Sequence, residues 1–275
     1  MKQKIIALFT CFNRKEITKR AIHQLLKEET KNIELTILIV DDNSTDGTKE
    51  MVQKLDNDKI ILLETNGDCY YTGGMIKGMK YILRNNLKAD YLMILNDDVD
   101  FKKGFIKKMI DFQSLKKNSV IVGPTSNDEG NLTYGGIRYL NNRSAEYEYI
   151  GPDDTNKCDT FNANCVLIPF DCFFKIGPMD DKFIHGFGDF DYGFSCKKKN
   201  YNIYVLNEFV GKCNRNIIGK SWTDNSLSRK ERIRLLNHPK ANPTKQTFYY
   251  FNKNFNFYLA LKCAYVPYIK ILLKK

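Results

Sequence analysis

Three stretches of this 275-residue chain gather carboxylates at short spacing, and each adjoins a segment whose pattern predicts regular structure. Asn96-Asp97-Asp98 follows the apolar run Tyr91 to Leu95, Asp41-Asp42-Asn43-Ser44-Thr45-Asp46 follows Leu35 to Val40, and Asp189-Phe190-Asp191 opens a helical stretch. Carboxylates this close repel one another, and an oxygen-preferring divalent cation such as Mg²⁺ or Mn²⁺ relieves the repulsion. For Asn96 to Asp98 a metal site and a solvated acidic turn are both open, because Asp and Asn also serve turns. At Asp41 to Asp46 a turn with Asp46 capping the next helix is the simpler reading. Thr10 and Asn13 add weight, since they end the first strand and lie beside this loop if the two strands are neighbours. A carboxylate there can accept the N3–H of a uracil or thymine ring, and a hydroxyl can contact a ring carbonyl.

The elements that must position these groups alternate. Ile5 to Thr10, Leu35 to Val40, Ile60 to Leu63 and Tyr91 to Leu95 predict buried strands. Lys15 to Glu28, Asp46 to Leu55, Gly74 to Arg84 and Phe105 to Leu115 predict helices between and after them. That rhythm means βαβ units and a mostly parallel sheet, whose strand carboxyl ends are where such folds bind ligands. Beyond about residue 124 the rhythm changes. Thr133 to Leu140 is rich in Tyr and Gly and hairpin-like, Phe161 to Ile168 is a single apolar run, and Tyr201 to Leu206 returns to strand. The expected division is a nucleotide-binding half over 1–123, an acceptor-facing half over 124–240 and a helical extension over 241–275.

Asn66 to Gly78 is glycine-rich and opens a helix, so Gly73 and Gly74 suit close backbone approach to an anion at a helix N-terminus. It matches neither the phosphate loop of nucleotide triphosphatases nor the dinucleotide fingerprint. Lys77 is within reach of a phosphate there, or is simply solvated.

Together these pieces resemble the inverting glycosyltransferases of family 2, which have the GT-A fold. The resemblance runs from about Ile5 to Cys213 and rests on Thr10, Asn13-Arg14, Asp41 to Asp46, Asn66 to Gly78, Asn96 to Asp98 and His185-Gly-Phe-Gly-Asp-Phe-Asp191. It implies an α/β sheet flanked by helices, and a UDP- or dTDP-sugar donor. It also implies that Thr10 and Asp42 hold the base, Asp97 the ribose, and Asp98 the Mn²⁺ or Mg²⁺ that bridges the diphosphate. Asn13, Arg14, Gly73, Gly74 and Lys77 fall in the donor-binding set. By analogy with relatives that carry a Glu-Asp-x-Asp pattern, Asp189 is the base that deprotonates an acceptor hydroxyl, with Asp191 its structural or acceptor-binding neighbour. His185 belongs to the acceptor site or to packing. Trp222 would stack on a sugar ring or fill a core. Gly188 and Ser195 depart from the acidic and Arg residues common there, and Cys213 stands near where some relatives place a metal-binding His. Thiolate is a poor Mn²⁺ ligand, so Cys213 is left out of the metal set.

The net charge of +11 favours acidic partners. Nucleic acid is disfavoured, because carboxylates at strand ends repel phosphate unless a metal intervenes. A nucleotidyltransferase would want a basic, Gly-rich loop after the first strand, where Thr10-Cys-Phe-Asn-Arg14 stands; a silent carbohydrate-binding relative would lack the base. Eight dispersed cysteines without Cys-x-x-Cys spacing predict reduced thiols, and no secretory signal precedes the first strand. The segment Phe248 to Lys275 interleaves aromatics and lysines, is interrupted by Pro267, and predicts either a packed helix or one lying on an anionic membrane. The expectation is a cytoplasmic enzyme, peripheral on the inner face of the membrane, acting on a glycan or lipid-linked saccharide of a bacterial surface polysaccharide, by rhamnosyl- or galactofuranosyl-type transfer.

Overall fold

The computed structural model describes residues 2–152, 156–215, 220–241 and 243–273; Gly219, Lys274 and Lys275 lie outside them. The strands are β1 (Gln3–Cys11), β2 (Ile33–Asp41), β3 (Ile60–Glu64), β4 (Tyr91–Leu95), β5 (Asp100–Phe101), β6 (Ser119–Val122), β7 (Thr125–Ser126), β8 (Leu132–Tyr134), β9 (Gly136–Tyr139), β10 (Tyr147–Ile150), β11 (Thr160–Phe161), β12 (Cys165–Pro169), β13 (Asn202–Val205) and β14 (Gly211–Lys212). The helices are α1 (Lys15–Leu26), α2 (Thr48–Gln53), α3 (Tyr70–Arg84), α4 (Phe105–Leu115), α5 (Phe170–Ile176), α6 (Gly188–Lys198), α7 (Arg229–Leu236), α8 (Thr244–Asn254) and α9 (Phe257–Leu272).

A seven-stranded sheet runs in the order β13-β6-β12-β4-β1-β2-β3. Within it, β1 pairs in parallel with β2 from Gln3↔Ile33 to Cys11↔Asp41 and with β4 from Ile5↔Tyr91 to Leu8↔Ile94. Successive side chains of a strand point to opposite faces, and β1 shows it. Ile6 and Leu8 join the core under α3, while Ile5, Ala7 and Phe9 join the core under α1 and α4. Parallel pairing brings Thr10, Asp41 and Asn96 to one edge of the sheet, with their loops above it.

β12 is antiparallel to both β4 and β6. The apolar run Phe161 to Ile168 is therefore two strands, broken at Asn162-Ala163-Asn164, whose polar side chains leave the core and face the sheet edge. The helix expected from Gly74 begins earlier, at Tyr70, and that expected over Asp46 to Leu55 is only Thr48–Gln53, entered through Gly47 at φ 82°. Asp46 accepts from the Thr48 N–H at 3.1 Å and the Lys15 N–H at 2.8 Å, so it ties two helix starts together.

The glycines of α3 are there for helix–strand contact. A Cβ on Gly74 would lie 2.6 Å from Thr10 Cγ2, and one on Gly78 2.3 Å from Leu8 Cδ1. Gly74→Ala is expected to destabilise the fold by about 1–3 kcal/mol through overpacking, read as a lower denaturant midpoint.

The last two helices dock on the second half of the chain, against β9 and the segment before α6. Tyr250, Phe251, Leu259 and Ala260 pack with Ile137, Tyr139 and Phe183, and the Tyr139 and Tyr250 hydroxyls meet at 2.9 Å. The opposite side of α9 is apolar and open, with Tyr258, Tyr265, Ile269 and Leu272 exposed. Among the described residues no helix is long and apolar enough to cross a membrane.

Candidate active site

A cavity of about 890 Å³ opens over the edge where β1, β2 and β4 end, with α6 and the tyrosines of β8, β9 and β10 on its far side. Thr10, Arg14, Asp42, Asp97, Asp98, His185 and Asp189 all line it. Asn13, Gly73, Gly74, Lys77, Asp191 and Trp222 do not.

Asp42 closes the entry to α3. Its Oδ1 accepts from the Thr65 hydroxyl and from the Cys69 N–H at 3.2 Å, and its Oδ2 from the Tyr70 N–H at 3.0 Å. A carboxylate offers about four acceptor positions, so about one remains open towards the cavity.

Asp97 and Asp98 are adjacent but differently placed. The Asp97 side chain is 2% exposed, held by Arg14 Nη1 at 2.9 Å and the Thr18 hydroxyl at 2.8 Å. Burial pushes its carboxyl above the usual range, and Arg14 pulls it part of the way back. Asp98 is 28% exposed, with Arg14 Nη1 3.5 Å from one oxygen and Cys213 Sγ 3.8 Å from the other. Asp98 is thus the carboxylate with open positions towards the cavity. A Mg²⁺ or Mn²⁺ ion bound with a diphosphate needs only one or two protein carboxylates, its other ligands being phosphate and water. Among the described residues no group of three or more His, Cys, Asp or Glu forms a protein cage for a metal, so the donor set fits that shared mode of binding. Burial and the neighbouring Asp98 push the Cys213 thiol up to about 12.

Asp189 and Asp191 sit in the first turn of α6, two residues and hence about 200° apart around the helix. Asp189 faces the cavity, its Oδ2 accepting from the Ala163 N–H at 3.0 Å and its Oδ1 from its neighbour Phe190 N–H at 2.9 Å. Burial pushes it up to about 6 against the pull of those hydrogen bonds. A carboxyl in that range is poised as a general base near neutral pH. If it is the base, its ionised form does the work, so kcat/KM should rise about tenfold per pH unit below about 6 and level off above it. A profile flat from pH 5 to 8 would count against Asp189. Because its folded pKa is raised, this group favours the folded state below the ordinary carboxylate range and loses that contribution as pH climbs through about 6.

Asp191 points the other way. It is 2% exposed, and Lys253 Nζ at 2.7 Å and Asn254 Nδ2 at 2.8 Å donate to it, with Lys253 shared by Asp180 at 2.7 Å. It clamps α8 to α6, the structural one of its two expected roles. Asn13, Gly73, Gly74, Lys77 and Trp222 are likewise held by contacts away from the cavity lining. Asn13 staples the Asp41 to Asp46 loop, its N–H donating to Ser44 Oγ at 2.8 Å and its Oδ1 accepting from the Thr45 N–H at 2.7 Å. Gly73 and Gly74 lie within α3, Gly74 packed on β1. Lys77 donates to the Glu64 carbonyl at the end of β3. Trp222 carries a carbonyl that accepts from Arg232 Nε at 2.6 Å, outside the cavity wall.

Several lining residues had no signal strong enough to mark them. His238 and Lys240 reach the rim from the turn before α8, where they and burial lower the His185 imidazole, leaving it neutral. Tyr147 and Tyr149, two apart on β10, bring their rings to the cavity, and the alternation Tyr-Glu-Tyr was the available clue. Tyr71 and Asn162 complete the wall near Asp189.

Comparison with known proteins places this arrangement. The Glycosyl transferase family 2 profile matches residues 7–171. The low-salt glycan biosynthesis hexosyltransferase Agl10 of Haloferax volcanii is 23% identical over 193 residues, 64% of this chain and 60% of that protein. An uncharacterized glycosyltransferase of Mycoplasma genitalium, MG060, is 23% identical over 120 residues, 43% of this chain and 40% of its own. The chain thus spans less than two thirds of either curated relative. The mannosyltransferase PcManGT of Pyrobaculum calidifontis, solved with GDP-Man and Mn²⁺, superposes with a TM-score of 0.63 at 10% identity, over 100% of this chain and 74% of that one, and shares the fold. On the profile match across more than half its length, the chain belongs to glycosyltransferase family 2.

Proposed function

We propose that the chain is a metal-dependent, inverting glycosyltransferase that moves a hexose from a UDP- or dTDP-sugar to a hydroxyl of a glycan or lipid-linked saccharide. The observation that carries the reading is one cavity with Asp98 partly exposed at the sheet edge and Asp189, the carboxyl raised towards neutral pH, also in its wall. The acceptor O–H gives its proton to Asp189 as its oxygen bonds the anomeric carbon, and the bond from that carbon to the diphosphate breaks on the opposite face. A divalent ion, when bound, neutralises the departing diphosphate, and Asp98 is the residue to hold it. Arg14, anchored by Asp97, keeps Asp98 in place.

The reading of uracil or thymine is supported by Asp42. Guanine presents two N–H groups side by side and would need two open acceptor positions; a uracil or thymine ring presents one, which is what Asp42 has left. Thr10 lies beside it for a ring carbonyl. The finer reading, rhamnosyl- or galactofuranosyl-type transfer in a bacterial surface glycan, is supported by the stretches Gly67 to Tyr71 and His185 to Asp189. A thermal-shift screen over UDP-, dTDP- and GDP-sugars with Mn²⁺ tests the donor. At 100 times its Kd a ligand stabilises by about 2.7 kcal/mol, near 5 °C for a chain of this size. A response to GDP-sugars alone would overturn the uracil assignment, and no response to any would overturn the function.

The open apolar side of α9, with Lys262 and Lys270 exposed beside it, supports a place on an anionic membrane surface. Ile269→Glu with Leu272→Glu should abolish sedimentation with phosphatidylglycerol vesicles, and unchanged sedimentation would refute it.

A further inference from the structure

Three buried polar side-chain atoms have no hydrogen-bond partner among the described residues: the Tyr71 hydroxyl, Asn162 Oδ1 and His185 Nδ1. All three belong to residues that line the one cavity. A buried polar atom without a partner carries its whole desolvation penalty, so folded proteins keep few of them and each needs a reason. Three converging on a single space point to a ligand that supplies the missing partners.

Their placement says which ligand. Tyr71 stands in the first turn of α3, near enough to Asp189 for that carboxylate to add to the effect of burial on its phenol. Asn162 precedes Ala163, whose N–H holds Asp189. His185 is tied to the same turn of α3, its carbonyl accepting from the Thr72 hydroxyl at 2.9 Å. The three therefore cluster around the proposed base, where the attacking substrate must sit. The aromatic wall ends at the same place, since the ring of Tyr147, 40% exposed, meets that of Phe190 edge-on at 5.9 Å. A sugar ring has an apolar C–H face for such a wall and a rim of hydroxyls for such atoms. A bare polyprenyl phosphate brings acceptors alone and no donor for Asn162 Oδ1, whereas a sugar hydroxyl both donates and accepts.

We propose that the acceptor is a saccharide end whose terminal ring lies on Tyr147, with Tyr71, Asn162 and His185 bonding the hydroxyls beside the one that attacks. This rests on the glycosyltransferase reading and names its acceptor class. Saturation-transfer NMR on the full chain, with methyl hexopyranosides and their deoxy analogues, and separately with polyprenyl phosphate in micelles, tests it. At least one hexopyranoside should bind. Tyr71→Phe and Asn162→Ala should each weaken it about five- to twentyfold. One deoxy analogue should lose affinity for the wild type and lose none further for Tyr71→Phe, a coupling that a purely structural role would not give. Binding of polyprenyl phosphate with no saccharide, or Tyr71→Phe weakening nucleotide-sugar binding in place of saccharide binding, would overturn the proposal. If saccharides fail while nucleotide sugars still raise the melting temperature, only the acceptor assignment falls; if both fail, the glycosyltransferase reading falls with it.

Discussion

Asp189→Asn is expected to lower the transfer rate by about 10³, within the 10²–10⁴ range of a positioned general base. Nucleotide-sugar binding and the melting temperature should stay close to wild type. The substitution keeps the side-chain shape, and its amide oxygen can still accept the Ala163 N–H, which lies 3.0 Å from Oδ2, while the bond from the Phe190 N–H to Oδ1 is given up at a cost of about 1 kcal/mol. What it removes is the site that takes the acceptor proton. Stopped transfer assays with radiolabelled donor, run beside donor binding by calorimetry, separate the two quantities. Transfer at the wild-type rate would mean that another group takes the proton. Asp191→Ala makes the contrasting case two residues away. It leaves Lys253 without one of its two carboxylates and Asn254 without its acceptor, so the cost is stability, about 3–5 kcal/mol for breaking a buried pair. One aspartate then fails in rate and the other in folding, as their opposite directions on α6 require.

That divergence shows where the sequence was legible and where it was not. The sheet could be read because each of its first four strands is an apolar run with a helix pattern between it and the next. The carboxylates at strand ends could be read because an apolar run that stops at Asp puts that Asp at the sheet edge. Asp189 and Asp191 could not be given separate roles with certainty, since the partner that claims Asp191 is Lys253, sixty-two residues on. Gly74 was expected against a phosphate for the reason that makes it suit β1. Absence of a side chain permits any close approach, and the sequence does not say whose backbone or ligand comes near. Lys77 followed the same error, as its distance from the cavity depends on where α3 begins, and that is set by Asp42 capturing the Cys69 and Tyr70 N–H groups. Tyr71 and Asn162 carried no signal, because being without a partner is a property of the folded surroundings and of no local pattern.

Asp98→Ala is expected to remove the metal response of the protein while leaving the fold intact. Asp98 can be cut back because it is partly solvated and only loosely approached by Arg14, at 3.5 Å. Asp97 cannot, since it is buried and its loss would leave the buried Thr18 hydroxyl without its acceptor and the Arg14 guanidinium without its closest carboxylate. With wild type, Mn²⁺ should add to the melting-temperature rise given by a UDP- or dTDP-sugar; with Asp98→Ala the donor should give the same rise with and without Mn²⁺. Transfer should fall by about 10³, near 4 kcal/mol of charge stabilisation on the departing diphosphate. Cys213→Ser is the control that isolates the carboxylate. Its sulfur lies 3.8 Å from Asp98 but is a soft donor that a hard cation takes poorly, so the serine variant should keep the Mn²⁺ response. A lost response in Cys213→Ser would make the sulfur a ligand, and a kept response in Asp98→Ala would move the metal away from this edge of the sheet.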